Sequence, residues 1–288
     1  MKYAVYVPPF GPYADPRVHV DLARDAEAAG WDGYFIWDHM AMWWGTEPPV
    51  VDAWITLVAI AAVTERIRIG PLVTPVARRR PWKLARETVS LDHLSGGRLI
   101  LGVGLGDSVY EFDNLGEEAD RKVRGAMLDE GLAVLAGLWS GERFSFEGAH
   151  FHVKDAHFQP TPLQQPRIPV WVAGFWPNKA PFRRAARWDG VFPLRVGDAP
   201  MNMSPDDYRE MLAYIREHRK ESAPFDVLHS HGDPQEAPIR DTQRVAEYAA
   251  AGVTWWLEEV NPWRFGWEDA GPWPLEAMRA CVLAEPPR

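Results

Sequence analysis

The chain has 288 residues, 47% of them hydrophobic, and carries 31 basic against 40 acidic residues for a net charge of −9. The length suits one large α/β domain with a full core, while the acidic balance without a long basic run excludes a general nucleic-acid binder. No apolar run reaches the roughly 18 residues of a membrane span, no signal peptide is in view, and the single cysteine, Cys281, rules out an internal disulfide and suits a reducing cytosol, so no membrane association and a cytoplasmic location are expected.

Strand and helix patterns alternate eight times. Residues 3–7 form a short apolar strand ended by Pro8 and Pro9, and 17–29 an amphipathic helix stopped by Gly30. Strand two is 33–37, and Asp52 caps a helix over 52–64. Strand three is 67–73, and Pro81 opens the next helix where its missing N–H does no harm. That helix ends in Ser95-Gly96-Gly97, followed by strand four over 98–103 and the longest helical pattern over 121–139. Residues 143–148 and 150–153 then read as a hairpin around Glu147-Gly148-Ala149, and 154–168 as irregular. Strand five is 169–173, with a helix over 179–188; strand six is 191–194, with a helix capped by Ser204; strand seven is 225–229, with a helix over 240–251. Strand eight is 253–258 and the last helix 274–283. Eight such units predict one (β/α)8 barrel over 1–288, an α/β TIM barrel with an insertion after helix four at about 140–168.

In such a barrel the active site lies at the C-terminal strand ends. That rule selects Asp38 and His39 after strand two, Val73 and Thr74 after strand three, Gly104 to Asp107 after strand four and Gly174 to Lys179 after strand five. It also selects Leu194-Arg195, His229, His231 and Glu258-Glu259. Asp38-His39 is the acid–base candidate, since imidazole titrates near neutral pH and a neighbouring carboxylate can orient it; the alternative is a loop cap and a packed ring. Gly102, Gly104 and Gly106 alternate, unlike a dinucleotide fingerprint, and no helix is expected directly after them; the reading is backbone flush against a flat ring, with Leu105 between the last two glycines and Asp107 pointing into the mouth. Gly174, Phe175, Trp176, Asn178 and Lys179 offer N–H groups, rings and a cation at a helix start suited to a phosphate, or an ordinary capped loop. Trp43 and Trp44, in a Pro/Gly-rich loop after His39, are candidates for the substrate pocket. Arg78-Arg79-Arg80 with Lys83 reads as a solvated cluster or an anion contact. His150-x-His152 and His229-x-His231 lack a carboxylate cluster to complete a metal site, so no metal is expected, and a barrel metallohydrolase is the weaker enzymatic reading.

Several of these segments resemble the luciferase-like monooxygenase superfamily. They are the Leu91-Asp92-x-Leu94-Ser95-x-Gly97-Arg98 helix end, the Leu101-Gly102-x-Gly104 strand end, Trp37-Asp38-His39, the segment 169–174 and the segment 185–190. The resemblance implies an oxidoreductase using FMN or the deazaflavin F420, by oxygen insertion or hydride transfer on a small, partly apolar organic substrate. Asp38-His39 tilts it toward F420, with His39 stabilising transferred charge or the substrate proton and Asp107 standing where some relatives have a proton-donating Glu. It implies a non-proline cis peptide at Leu72-Val73-Thr74 supporting the flavin, with Thr74-Pro75 as a competing cis bond. It also admits a separate reductase, a homodimer, or a flavin-binding barrel that has lost catalysis.

Overall fold

Parallel pairing closes the predicted strands on themselves in the computed structural model, which describes residues 1–42, 47–106, 109–197, 203–232 and 242–287. Strand β1 (Lys2–Val7) pairs with β2 (Gly33–Ile36) and with β8 (Trp255–Glu259), and β2 pairs with β3 (Arg68–Pro71). Strand β4 (Leu101–Gly104) pairs with β5 (Val170–Trp176), followed by β6 (Gly190–Arg195) and β7 (Asp226–His231), which returns to β8. A parallel bridge from Ile69 to Leu99 joins β3 to the β4 side, and Thr74–Pro75 pairs with β4 as the continuation of β3. The circuit therefore holds eight strands, with helices packed outside.

Alternation along each strand divides the core in two. In β1, Ala4 and Tyr6 enter the lumen, while Val5 and Val7 face the helices. The lumen below the mouth is filled by rings and aliphatic groups such as Phe35, Ile100, Trp171, Phe192 and Trp255. Helix caps fall where side-chain chemistry places them. Asp52 Oδ1 accepts from Ile55 N at 2.7 Å, Gly30 adopts φ 93°, and Ser204 and Asp207 form a reciprocal capping box. The insertion is the expected hairpin, Arg143–Glu147 against His152–His157.

The segment that carries the resemblance is mostly structural. Arg98 turns inward, and its guanidinium donates to the carbonyls of Ala61, Thr64 and Ile67 at 3.1, 2.7 and 2.9 Å, closing the end of the helix Ala53–Ala61. Asp92 accepts from Leu163 N at 2.8 Å and from Gln164 Nε2 at 2.7 Å, tying down the irregular segment. The β4 glycines serve close backbone approach. A Cβ at Gly102 would stand 2.3 Å from Pro71 O, and one at Gly104 2.6 Å from Val73 Cγ2. The space is taken by strand three itself, so the glycines make room for its bulge. Gly102→Ala is expected to lose about 1–3 kcal/mol in urea unfolding, because a backbone oxygen cannot step aside; wild-type stability would show that the two strands can separate freely.

Candidate active site

The strand ends bring together a histidine and a carboxylate 72 residues apart. His39 follows β2, and Glu111 sits on a single helical turn, Val109–Phe112, after β4. Sequence reasoning expected no helix there; Gly106, at φ +74°, turns the chain back so that one forms. Glu111 is almost fully buried. Its Oε1 accepts from Met40 N at 2.6 Å, Ala41 N at 3.2 Å and His39 Nδ1 at 3.2 Å, and its Oε2 accepts from Arg78 Nη2 at 3.3 Å. Burial alone would raise this carboxyl, but the His39 bond and charge, the Ala41 N–H and the Arg78 guanidinium outweigh it and hold it at about 2. A carboxylate ionised at neutral pH can only accept, so His39 carries its proton on Nδ1 and keeps Nε2 for a ligand. The side chain of His39 is 19% exposed, hence reachable from the mouth.

Asp38, the expected partner, is engaged elsewhere. Its carboxylate accepts from Thr74 Oγ1 at 2.7 Å, Trp54 Nε1 at 3.1 Å and Arg79 Nη2 at 3.0 Å, and is buried. Adjacent residues leaving a strand point to opposite sides, which parts Asp38 from His39. Thr74 is correspondingly tied by its hydroxyl to Asp38 and Trp54, fully buried. Two members of the arginine cluster turn inward to carboxylates, while Arg80 is exposed. Arg78 pairs with Glu111 and Glu117, Arg79 with Asp38, and Lys83 with Glu87.

Leu72-Val73 is a cis peptide, while Thr74-Pro75 is not among the cis bonds. The Tyr6 hydroxyl donates to the Leu72 carbonyl at 2.7 Å, and Val73 packs against the lumen cluster. Beyond Gly104, the Leu105 carbonyl accepts from Arg124 Nη1 at 2.9 Å, and Phe112 lies between the Arg78 and Arg124 guanidinium groups at 4.5 and 4.0 Å. Trp37, above Phe35 in the mouth, stands 5.4 Å from Tyr6 and 6.0 Å from His39 between ring centroids. Its indole N–H is buried with no protein partner among the described residues, the kind of donor a bound polar group would satisfy.

Strand five runs to Trp176, farther than expected, and alternation separates its residues. Trp171 and Ala173 face the lumen. Trp176 faces outward and packs on Phe182 at 5.2 Å, a place in the outer core that replaces the expected cofactor contact. A Cβ at Gly174 would meet Pro181 at 2.4 Å, so that glycine admits the helix. Phe175 is half-buried and Asn178 exposed, precedes the helix Lys179–Ala185, and makes no side-chain cap bond. Lys179 is exposed, its ammonium 3.7 Å from the Trp176 ring centre. Asp107, Trp43 and Trp44 lie outside the described residues.

At β7 and β8, His229, His231 and Glu258 fall behind the strands. His229 contacts Tyr248 and Trp256, and Arg264 Nη2 reaches His231 at 3.0 Å and Glu258 at 3.4 Å. Burial raises the Glu258 carboxyl to about 8. Among the described residues no group of three or more His, Cys, Asp or Glu could hold a metal ion, and no helix is long and apolar enough to cross a membrane.

The model of the luciferase-like monooxygenase family matches residues 1–254. The chain is similar to the F420-dependent glucose-6-phosphate dehydrogenase of Tsukamurella paurometabola, with 36% identity over 58% of this chain and 50% of that protein. The same-named protein of Nakamurella multipartita matches at 34% over 64% of this chain and 54% of that one. The chain thus spans about half the length of the curated relatives it matches. In structure it resembles a coenzyme F420 dependent tetrahydromethanopterin reductase from Methanopyrus kandleri, at TM-score 0.73 and 18% identity over 99% of this chain and 98% of that one. A monooxygenase from Streptomyces bottropensis gives 0.71 and 21%, covering 98% and 96%. At these identities the structural likeness shows the fold.

Proposed function

The chain belongs to the luciferase-like monooxygenase family, and on that footing we propose that it is an F420-dependent oxidoreductase transferring a hydride between the deazaflavin and a small, partly apolar organic substrate. The observation that carries this reading is His39 at the mouth, its Nδ1 bound to a buried, ionised Glu111. A barrel that only bound flavin would have no use for an imidazole so oriented. The names of the similar dehydrogenases favour F420 over FMN.

F420 supplies a ring that accepts or gives two electrons as hydride. The chain's own groups have separable tasks in this reading. The backbone at Leu72, Val73 and at Gly104, Leu105 and Gly106 supports the ring, with the Tyr6 hydroxyl fixing the Leu72 carbonyl. The buried Trp37 indole N–H offers a donor to a bound group. Asn178 and Lys179 bind the phosphate, and Phe175 lines the approach. His39 Nε2 holds the proton that accompanies hydride transfer. Asp107 serves as a second acid, and Trp43 and Trp44 line the substrate pocket. A substrate that is itself the hydride source removes the need for a separate reductase.

Titration of the purified chain with F420 and with FMN tests this reading. F420 is expected to bind with a micromolar or lower Kd, about −8 kcal/mol, and more tightly than FMN. Binding of neither overturns the assignment, and tighter binding of FMN replaces F420 by flavin.

A further inference from the structure

Glu259 closes β8 on the side that faces the lumen. Trp255 and Leu257 precede it at two-residue spacing, both in the lumen cluster, and its register partner across the strands is Tyr6. Ser230 continues the same face of β7, two residues after Leu228. The Ser230 hydroxyl donates to Glu259 Oε1, and Asn261 Nδ2 donates to Oε2 at 2.6 Å. Asn261 cannot turn its amide round, because its Oδ1 accepts from Arg264 N at 2.9 Å. Both carboxyl oxygens are therefore held in a set orientation, each with one donor and a further lone pair, and Gly232 lies against the group, where a Cβ would stand 2.6 Å from Oε2.

No cation among the described residues pairs with this carboxyl. The nearby Arg264 guanidinium reaches Glu258 and His231 through Nη2 and makes no hydrogen bond to Glu259. Burial raises the Glu259 carboxyl against the pull of Ser230, Asn261 and the Arg264 charge. The layers beneath it are apolar, so an aliphatic residue would sit there at less cost. A carboxyl that is inward, unpaired and rigidly held at the mouth is organised for a ligand rather than for the fold.

We propose that Glu259 is the substrate-recognition group of the mouth, its carboxyl oxygens accepting from a hydroxyl of the substrate. It thereby selects oxygenated substrates such as alcohols and sugars over hydrocarbon chains. The proposal rests on the mouth being the active site of an F420-dependent oxidoreductase.

The test uses the full chain loaded with F420 and four probes: isopropanol, cyclohexanol, glucose and glucose 6-phosphate. For a probe that the wild type oxidises, Glu259→Leu raises KM about tenfold or more, Glu259→Gln raises it less, and the Kd for F420 holds within about twofold in both. An unchanged KM in Glu259→Leu, or a loss of F420 affinity as large as the rise in KM, overturns the proposal. Infrared difference spectra give a readout independent of turnover. The Glu259 carboxyl band, assigned by its loss in Glu259→Gln, shifts when the recognised probe is added; a band that none of the four moves overturns the proposal. Failure of F420 to bind would overturn the cofactor assignment alone, since the infrared shift reports the oxygen contact without it.

Discussion

Replacing His39 with alanine is expected to lower kcat by about 10²–10⁴-fold while the Kd for F420 changes little. Stopped-flow or steady-state assays following F420 absorbance give the first quantity, and fluorescence titration the second. The split follows from the geometry. Among the described residues the His39 ring is hydrogen-bonded through Nδ1, to Glu111. The ring-supporting backbone at Leu72 and Val73 is fixed independently by the Tyr6 hydroxyl. Removing the imidazole therefore leaves the cradle standing and takes away the group that holds the proton. If the variant loses cofactor while its bound fraction keeps the wild-type rate, His39 is a binding residue and the proton must be held elsewhere.

The barrel was legible in the sequence because each of its units repeats a local signal. An apolar strand of period two is followed by a capped helix, and Gly30 and Ser204 mark boundaries that the backbone then shows. The hairpin after Trp139 could be read from its alternation and its glycine. Glu111 could not, because a helix of one turn has no periodicity and its partners lie 33 and 72 residues away. Its only trace was a carboxylate shortly after a glycine strand end. Asp38 misled by adjacency, since sequence neighbours leaving a strand diverge. Trp176 misled by length: strand five ended at Ala173 would leave that ring in a loop, whereas the continued strand turns it outward onto Phe182. The β4 glycines were read as clearance for a ligand, and they are first clearance for Pro71 and Val73.

Glu111→Gln is expected to uncouple the site from its orienting charge and to change how stability depends on pH. The amide oxygen can keep the Met40, Ala41 and His39 N–H groups that share Oε1, but the NH₂ then takes the place of Oε2 and faces the Arg78 guanidinium, itself a donor. The ring of His39 loses its anionic anchor, so kcat falls at least about tenfold with the F420 Kd nearly unchanged. Glu111→Ala goes further, leaving buried N–H groups and Arg78 without their acceptor, and costs about 3–5 kcal/mol of stability. The pH dependence has a definite sign. The carboxyl is lowered in the folded protein from 4.5 to about 2, so its stabilisation is present above the unfolded value and is lost as pH falls through that interval. The shift corresponds to about 3 kcal/mol. Urea unfolding at about pH 6 and again near pH 2 should therefore show the wild type losing about 3 kcal/mol more than Glu111→Gln. Parallel losses in the two proteins would mean that Glu111 is not held ionised by its neighbours. His39 would then have no fixed tautomer, and the proton-handling role assigned to its Nε2 would lose its structural basis.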